Sequence, residues 1–79
     1  MSAQDHIHRS AALRGLRKFS DAIAEIENNL HLFDDITIVP ALLQAFYAAH
    51  EAGDVSKAKG LACEIAKRDP NIPSIKTYL

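Results

Sequence analysis

Tryptophan is absent from this chain, cysteine occurs once, and glycine and proline occur three times each. Each scarcity removes a class of protein. A lone cysteine, Cys63, cannot close an internal disulfide, and no cysteine cluster offers the usual ligands of a structural zinc site. Its neighbours Ala62, Ile65 and Ala66 predict a small buried hydrophobe rather than a nucleophile. Gly15, Gly53 and Gly60 are too scattered for a phosphate-cradling loop. No apolar run approaches the roughly 18 residues of a membrane span. The opening "MSAQDHIHRS" lacks the apolar centre of a signal peptide, so a soluble, cytoplasmic chain without a membrane role is expected.

Basic residues are missing from the middle of the chain. Residues 21–54 carry seven carboxylates and no Lys or Arg, a balance of −7. Residues 1–20 and 55–79 each balance to +3, giving a formal net charge of −1. Bulk charge therefore points to no nucleic-acid or membrane partner. The plain expectation is that adjacent helices complement one another; the sharper one is that the acidic middle of one copy meets a basic end of another.

Catalytic constellations are also lacking. The four histidines, His6, His8, His31 and His50, include no pair four apart with an intervening Glu, so no metal is expected. No nucleophile-elbow motif accompanies the serines. Asp34-Asp35 lies in a connection, where capping or solvation is its expected role. No cofactor and no enzymatic activity are expected.

What is present is helical periodicity. Hydrophobic residues make up 48% of the 79, enough for one small domain spanning 1–79. Ser2 and Asp5 form a capping box ahead of a first helix reaching about Arg17, with Ile7, Ala11, Leu13 and Leu16 on its apolar side. Gly15 marks either close helix contact or an early end. In "FSDAIAEIENNLHLF", Phe19, Ala22, Ile23, Ile26, Leu30 and Phe33 recur at three- and four-residue steps, predicting a helix over the whole segment. "DDITIVP" reads as a connection, with Pro40 in the first turn of a third helix. Leu42, Leu43, Phe46, Tyr47 and Ala49 pack partly inward. Gly53 ends that helix and Asp54 caps the next. Val55, Ala58, Leu61, Ala62, Ile65 and Ala66 form its stripe, and Pro70 blocks continuation. Pro73 introduces a last helical turn or packed tail carrying Ile75, Tyr78 and Leu79. The fold class expected is all-α: two antiparallel hairpins and a C-terminal cap.

A shift of 36 residues superimposes "FSDA" (19–22) on "VSKA" (55–58), with Ile26 on Ala62 and Leu30 on Ala66. The second unit, "AAHEAGDVSKAKGLACEIAKRDP", has Gly53-Asp54 at its turn, Ala58 and Ala62 along its second helix, and Pro70 after it. This resembles the tetratricopeptide repeat family, over about residues 6–71. The units fall at about 6–35 and 40–71, with 72–79 as cap. The first unit departs from the pattern, with Arg17 where glycine is expected and Asp34 where proline is. Another helix-hairpin array or a plain four-helix bundle stays open beside it.

The resemblance implies a protein–protein interaction module, an adaptor or co-chaperone-like subunit holding a segment of a protein or peptide partner on a concave surface. The first helices of the two units would line that surface with Arg9, Leu13, Gln44, Tyr47 and His50. Arg9 would hold a carboxylate and Tyr47 would supply flat contact area. Core packing is the competing role for Leu13 and Tyr47, and solvation for Arg9 and His50. Two alternatives stand beside this. One is a homodimer or larger self-assembly. The other is a helical nucleic-acid binder using Arg14, Arg17 and Lys18, or Lys57 and Lys59.

Overall fold

The computed structural model describes residues 2–79. Among them it contains α1 (Ala3–Gly15), α2 (Phe19–Glu27), α3 (Ile38–Glu51) and α4 (Val55–Ala66). Two short 3-10 segments, Leu30–Leu32 and Pro73–Tyr78, complete it. The class is all-α, as expected. Each helix packs on the next along the chain, α1 also packs on α3, and the C-terminal 3-10 segment packs on α4.

The core is made of small residues around a few large ones. Seven alanines (Ala22, Ala41, Ala45, Ala48, Ala49, Ala58 and Ala62) are fully buried. Phe46, Ile26, Ile65 and Ile75 are the large side chains enclosed with them. Ser10 is fully buried too, and its hydroxyl donates to the Ala22 carbonyl at 2.7 Å. That bond needs α1 and α2 to lie close, which only small residues permit. It also satisfies a hydroxyl that would otherwise cost about 1–3 kcal/mol to bury.

The helix ends follow local chemistry. Ser2 and Asp5 form both bonds of the capping box. Asp54 accepts from the Lys57 N–H and caps α4. Gly53 has φ +76°; its N–H reaches the His50 carbonyl, and that of Asp54 reaches the Ala49 carbonyl. The same pattern recurs at the end of α1. There the Arg17 N–H reaches the Arg14 carbonyl and the Lys18 N–H the Leu13 carbonyl. Arg17 holds φ +61°. An arginine therefore occupies the left-handed position that glycine fills in the second hairpin.

Four expectations change. The second helix stops at Glu27 instead of running to Phe33. Asn29 turns its side-chain amide onto the Glu25 carbonyl at 2.7 Å, offering the backbone a competing partner. Leu30, expected on the inward stripe, is 42% exposed as a result. The third helix starts at Ile38, inside the stretch expected to be a connection, because Asp34 organises the turn before it. Asp34 Oδ1 accepts from the N–H groups of Ile36 and Thr37, and the Thr37 hydroxyl accepts from the Asp34 N–H. Pro40 lies in the first turn, where its missing N–H costs nothing.

The other two changes concern stripes. Cys63 is exposed, not buried, because Ala58, Leu61, Ala62 and Ile65 take the inward side of α4 and Cys63 falls off it. Val55, at the first position of α4, and Leu16, just beyond the end of α1, are likewise exposed.

The matched turns make an opposed pair of predictions. Gly53→Ala is expected to destabilise by about 1 kcal/mol, since a Cβ is disfavoured at positive φ. Arg17→Gly is expected to stabilise by up to about 1 kcal/mol. For a domain of this size each kilocalorie moves the melting temperature by roughly 4–8 °C. Calorimetry of both variants checks the signs.

Candidate functional site

The five residues expected on one surface fall into three settings. Arg9 and Leu13 turn toward α2. The Arg9 side chain is exposed, its Nε lies 3.5 Å from Glu25, and both residues line an open cleft with Asp21, Glu25 and Asn28. Gln44 and Tyr47 lie on the side of α3 that meets α1. His50 lies nearer the C-terminal segment.

Arg14 joins α1 to α3 by its side chain. Its guanidinium pairs with Glu51 at 2.9 Å and sits 5.2 Å from the centre of the Tyr47 ring. Charge alone groups Arg14 with Arg17 and Lys18. The signal that separates it is periodicity: Arg14 follows Ile7 by seven and Ala11 by three, so it shares their side of the helix. Arg17 lies outside the helix altogether, so Arg14, Arg17 and Lys18 do not form one helical stripe.

Opposite Arg14, the C-terminal 3-10 segment borders α3. The Tyr78 hydroxyl lies 2.6 Å from His50 Nδ1, and Tyr78 meets the Phe46 ring edge-on at 5.5 Å. The Ser74 hydroxyl is 3.5 Å from that of Tyr47. Tyr47 therefore stands between Arg14 on one side and Ser74 on the other. Gln44 is one turn earlier on the same side, and its Oε1 is buried with no hydrogen-bond partner among the described residues.

Two further features lie elsewhere. His6 is buried against Glu25, with Nδ1 and Oε2 2.5 Å apart. A second cleft, of about 350 Å³, opens between the α2–α3 connection and α4. Leu30, Phe33, Ile38, Leu42 and Leu61 form its apolar wall, and Glu27, Asp34, Asp35 and Glu64 its rim, with Arg68. Lys57 pairs with Glu27 at 2.7 Å, and Lys67 and Arg68 approach Glu64. The Lys67 ammonium holds the Glu64 carboxyl below its ordinary value, and the Thr37 N–H and hydroxyl do the same for Asp34.

Among the described residues, no three His, Cys, Asp or Glu side chains sit together so as to hold a metal ion. No helix there is long and apolar enough to cross a membrane. Compared with known proteins, the chain matches no family model, no curated protein and no solved structure. The class of protein established is a small all-helical domain of four sequentially packed helices with a C-terminal 3-10 turn.

The C-terminal segment should divide its contribution unequally. Ile75 is fully buried, so Ile75→Ala is expected to cost about 2–5 kcal/mol in urea unfolding. Tyr78→Phe removes only an exposed hydrogen bond and should cost about 0.5–1 kcal/mol. The turn before α3 should weaken in acid. Asp34 has a lowered folded value, so its contribution is complete above its ordinary 3.8 and is lost as pH falls through the folded value. Acid titration of Asp34→Asn, which keeps the Oδ1 acceptor, should show a shallower loss of helix than the native chain.

Proposed function

We propose that the chain is a non-enzymatic, tetratricopeptide-like interaction module, acting in the cytoplasm as an adaptor or co-chaperone-like subunit. Its partner is a segment of another protein, held along the side where α1 and α3 meet. In the family that the sequence resembles, the first helices of successive hairpins line the binding surface. The observation that carries the reading is the direct packing of α1 on α3. Arg14, Glu51 and Tyr47 tie those two helices together across that side.

The chemistry there suits a polar backbone with an occasional flat side chain. Tyr47 supplies an aromatic face with a hydroxyl at its edge. Gln44 supplies an amide whose buried acceptor lacks a partner, and rotating that amide would offer the acceptor to a bound N–H group. The C-terminal segment limits the surface on the His50 side, since Tyr78 already occupies that imidazole. Arg9 and Leu13 belong to the neighbouring α1–α2 cleft, so they would contact only a partner that extends across α1.

The test is affinity capture from a lysate of the source, read by mass spectrometry, with three baits. The first is the native chain. The second combines Gln44→Ala with the exchange Arg14→Glu/Glu51→Arg, which keeps the internal ion pair while reversing the charges presented. The third is Lys59→Glu, exposed on α4 and remote from that side. A partner retained by the first and third baits and reduced at least tenfold on the second is the expected result. Equal capture by all three would remove the α1–α3 side as the binding surface.

A further inference from the structure

Two exposed features of the chain complement each other and lie at opposite ends of the helices. The first is the turn after α1. Leu16 is 68% exposed there, and the left-handed backbone at Arg17 directs the chain away from the helix immediately after it. Arg17 and Lys18 directly follow Leu16, and among the described residues neither has a carboxylate partner. The Arg17 guanidinium rests only over the Phe19 ring, at 5.6 Å. An exposed leucine followed at once by two unpaired cations is a knob with a basic collar on one side.

The second feature is the cleft at the far end of α2. Its wall is apolar, and its volume of about 350 Å³ would hold roughly ten waters, ample for one aliphatic side chain. Two of its rim carboxylates, Glu27 and Glu64, are already paired. The other two are not. Asp34 bonds only to its own turn, and Asp35 makes no ion pair or hydrogen bond among the described residues. Leu30 and Ile36 stand exposed beside them, 42% and 83%. The socket therefore has an acidic edge opposite in sign to the basic collar and equal to it in the number of unpaired charges.

A chain cannot fill its own socket. The α1–α2 turn sits at the same end as the α3–α4 turn, since Arg14 near the end of α1 pairs with Glu51 at the end of α3. α2 leads from that end to the socket, and its nine residues span about 13 Å. We propose that Leu16 of one copy seats in the Leu30–Phe33–Leu61 cleft of a second copy, with Arg17 and Lys18 against Asp34 and Asp35. The association is heterologous: every added copy leaves one knob and one socket open, so it grows as a chain or closes as a ring. One seated leucine and a few charge pairs fall short of a standard interface. The expected dissociation constant is therefore on the order of 0.1 mM. This inference is independent of the α1–α3 surface, and its variants leave Gln44, Tyr47 and Arg14 untouched.

Sedimentation equilibrium of the native chain, from about 10 µM to 1 mM, is the first measurement. Mass should rise with concentration, and the association should weaken at least fivefold between about 50 and 500 mM salt. Leu16→Glu removes the knob, and Leu30→Lys/Asp35→Lys removes the socket; all three positions are exposed, and circular dichroism checks that both variants keep their helices. Each variant alone should stay at monomer mass. Mixed in equal amounts they should form a one-to-one heterodimer that grows no further, because the knob lost by one is supplied by the other. A native chain that stays monomeric to 1 mM would overturn the proposal. So would a native assembly that Leu16→Glu or Leu16→Ala leaves intact, or a mixture that stays monomeric while the native chain associates.

Discussion

Helix spacing is the constraint on which the rest of this structure depends. Seven alanines and one serine occupy fully enclosed positions, and they let neighbouring helices approach until backbone and side chain meet, as in the bond from Ser10 to the Ala22 carbonyl. That closeness leaves room for few large side chains. Phe46 fills the centre, and Ile26, Ile65 and Ile75 enclose it from α2, α4 and the C-terminal segment. A core with one buried phenyl ring cannot tolerate a missing wall, which is why the last 3-10 segment is part of the domain. Replacing an ordinary core residue by a smaller one leaves a cavity. Here the greater risk is added volume, since a larger residue at Ala22 or Ala58 would separate whole helices.

Charge is organised around the same spacing. The acidic middle of the sequence is largely answered within the molecule. Glu25 faces His6 and Arg9, Glu27 faces Lys57, and Glu51 faces Arg14. Each pair joins different helices. The plain reading of the charge pattern, complementary neighbouring helices, thus accounts for three of the seven carboxylates. Asp54 is used as a helix cap and Asp34 as a turn organiser. Most of these pairs are partly exposed, so they set register and exclude alternatives more than they add stability.

The four helices were legible in the sequence because two signals agreed at most boundaries. Ser2 and Asp5 marked a start, Gly53 and Asp54 a stop and restart, and alanine and isoleucine spacing the buried sides. Boundaries failed where a side chain competed with the backbone. Asn29 ended α2 early, and the Asp34 turn let β-branched residues open α3. Composition carries neither effect plainly. The surface was less legible than the core. Arg9 and Arg14 are five residues, about 1.4 turns, apart on α1, and charge alone could not say which faced α3. Cys63 misled because its sequence neighbours are apolar, whereas its helical position is not.

The order of packing has a kinetic consequence. Every extensive contact joins a helix to the next helix, or α4 to the C-terminal segment, apart from that of α1 with α3. Loops closed during folding are therefore short, and little chain entropy is lost before a contact forms. Such a topology belongs with the fast folders, on the scale of microseconds to milliseconds. It also lets opening begin at α1, whose extensive contacts are with α2 and α3, while α3, packed on all three other helices and bonded to the C-terminal segment, is released last.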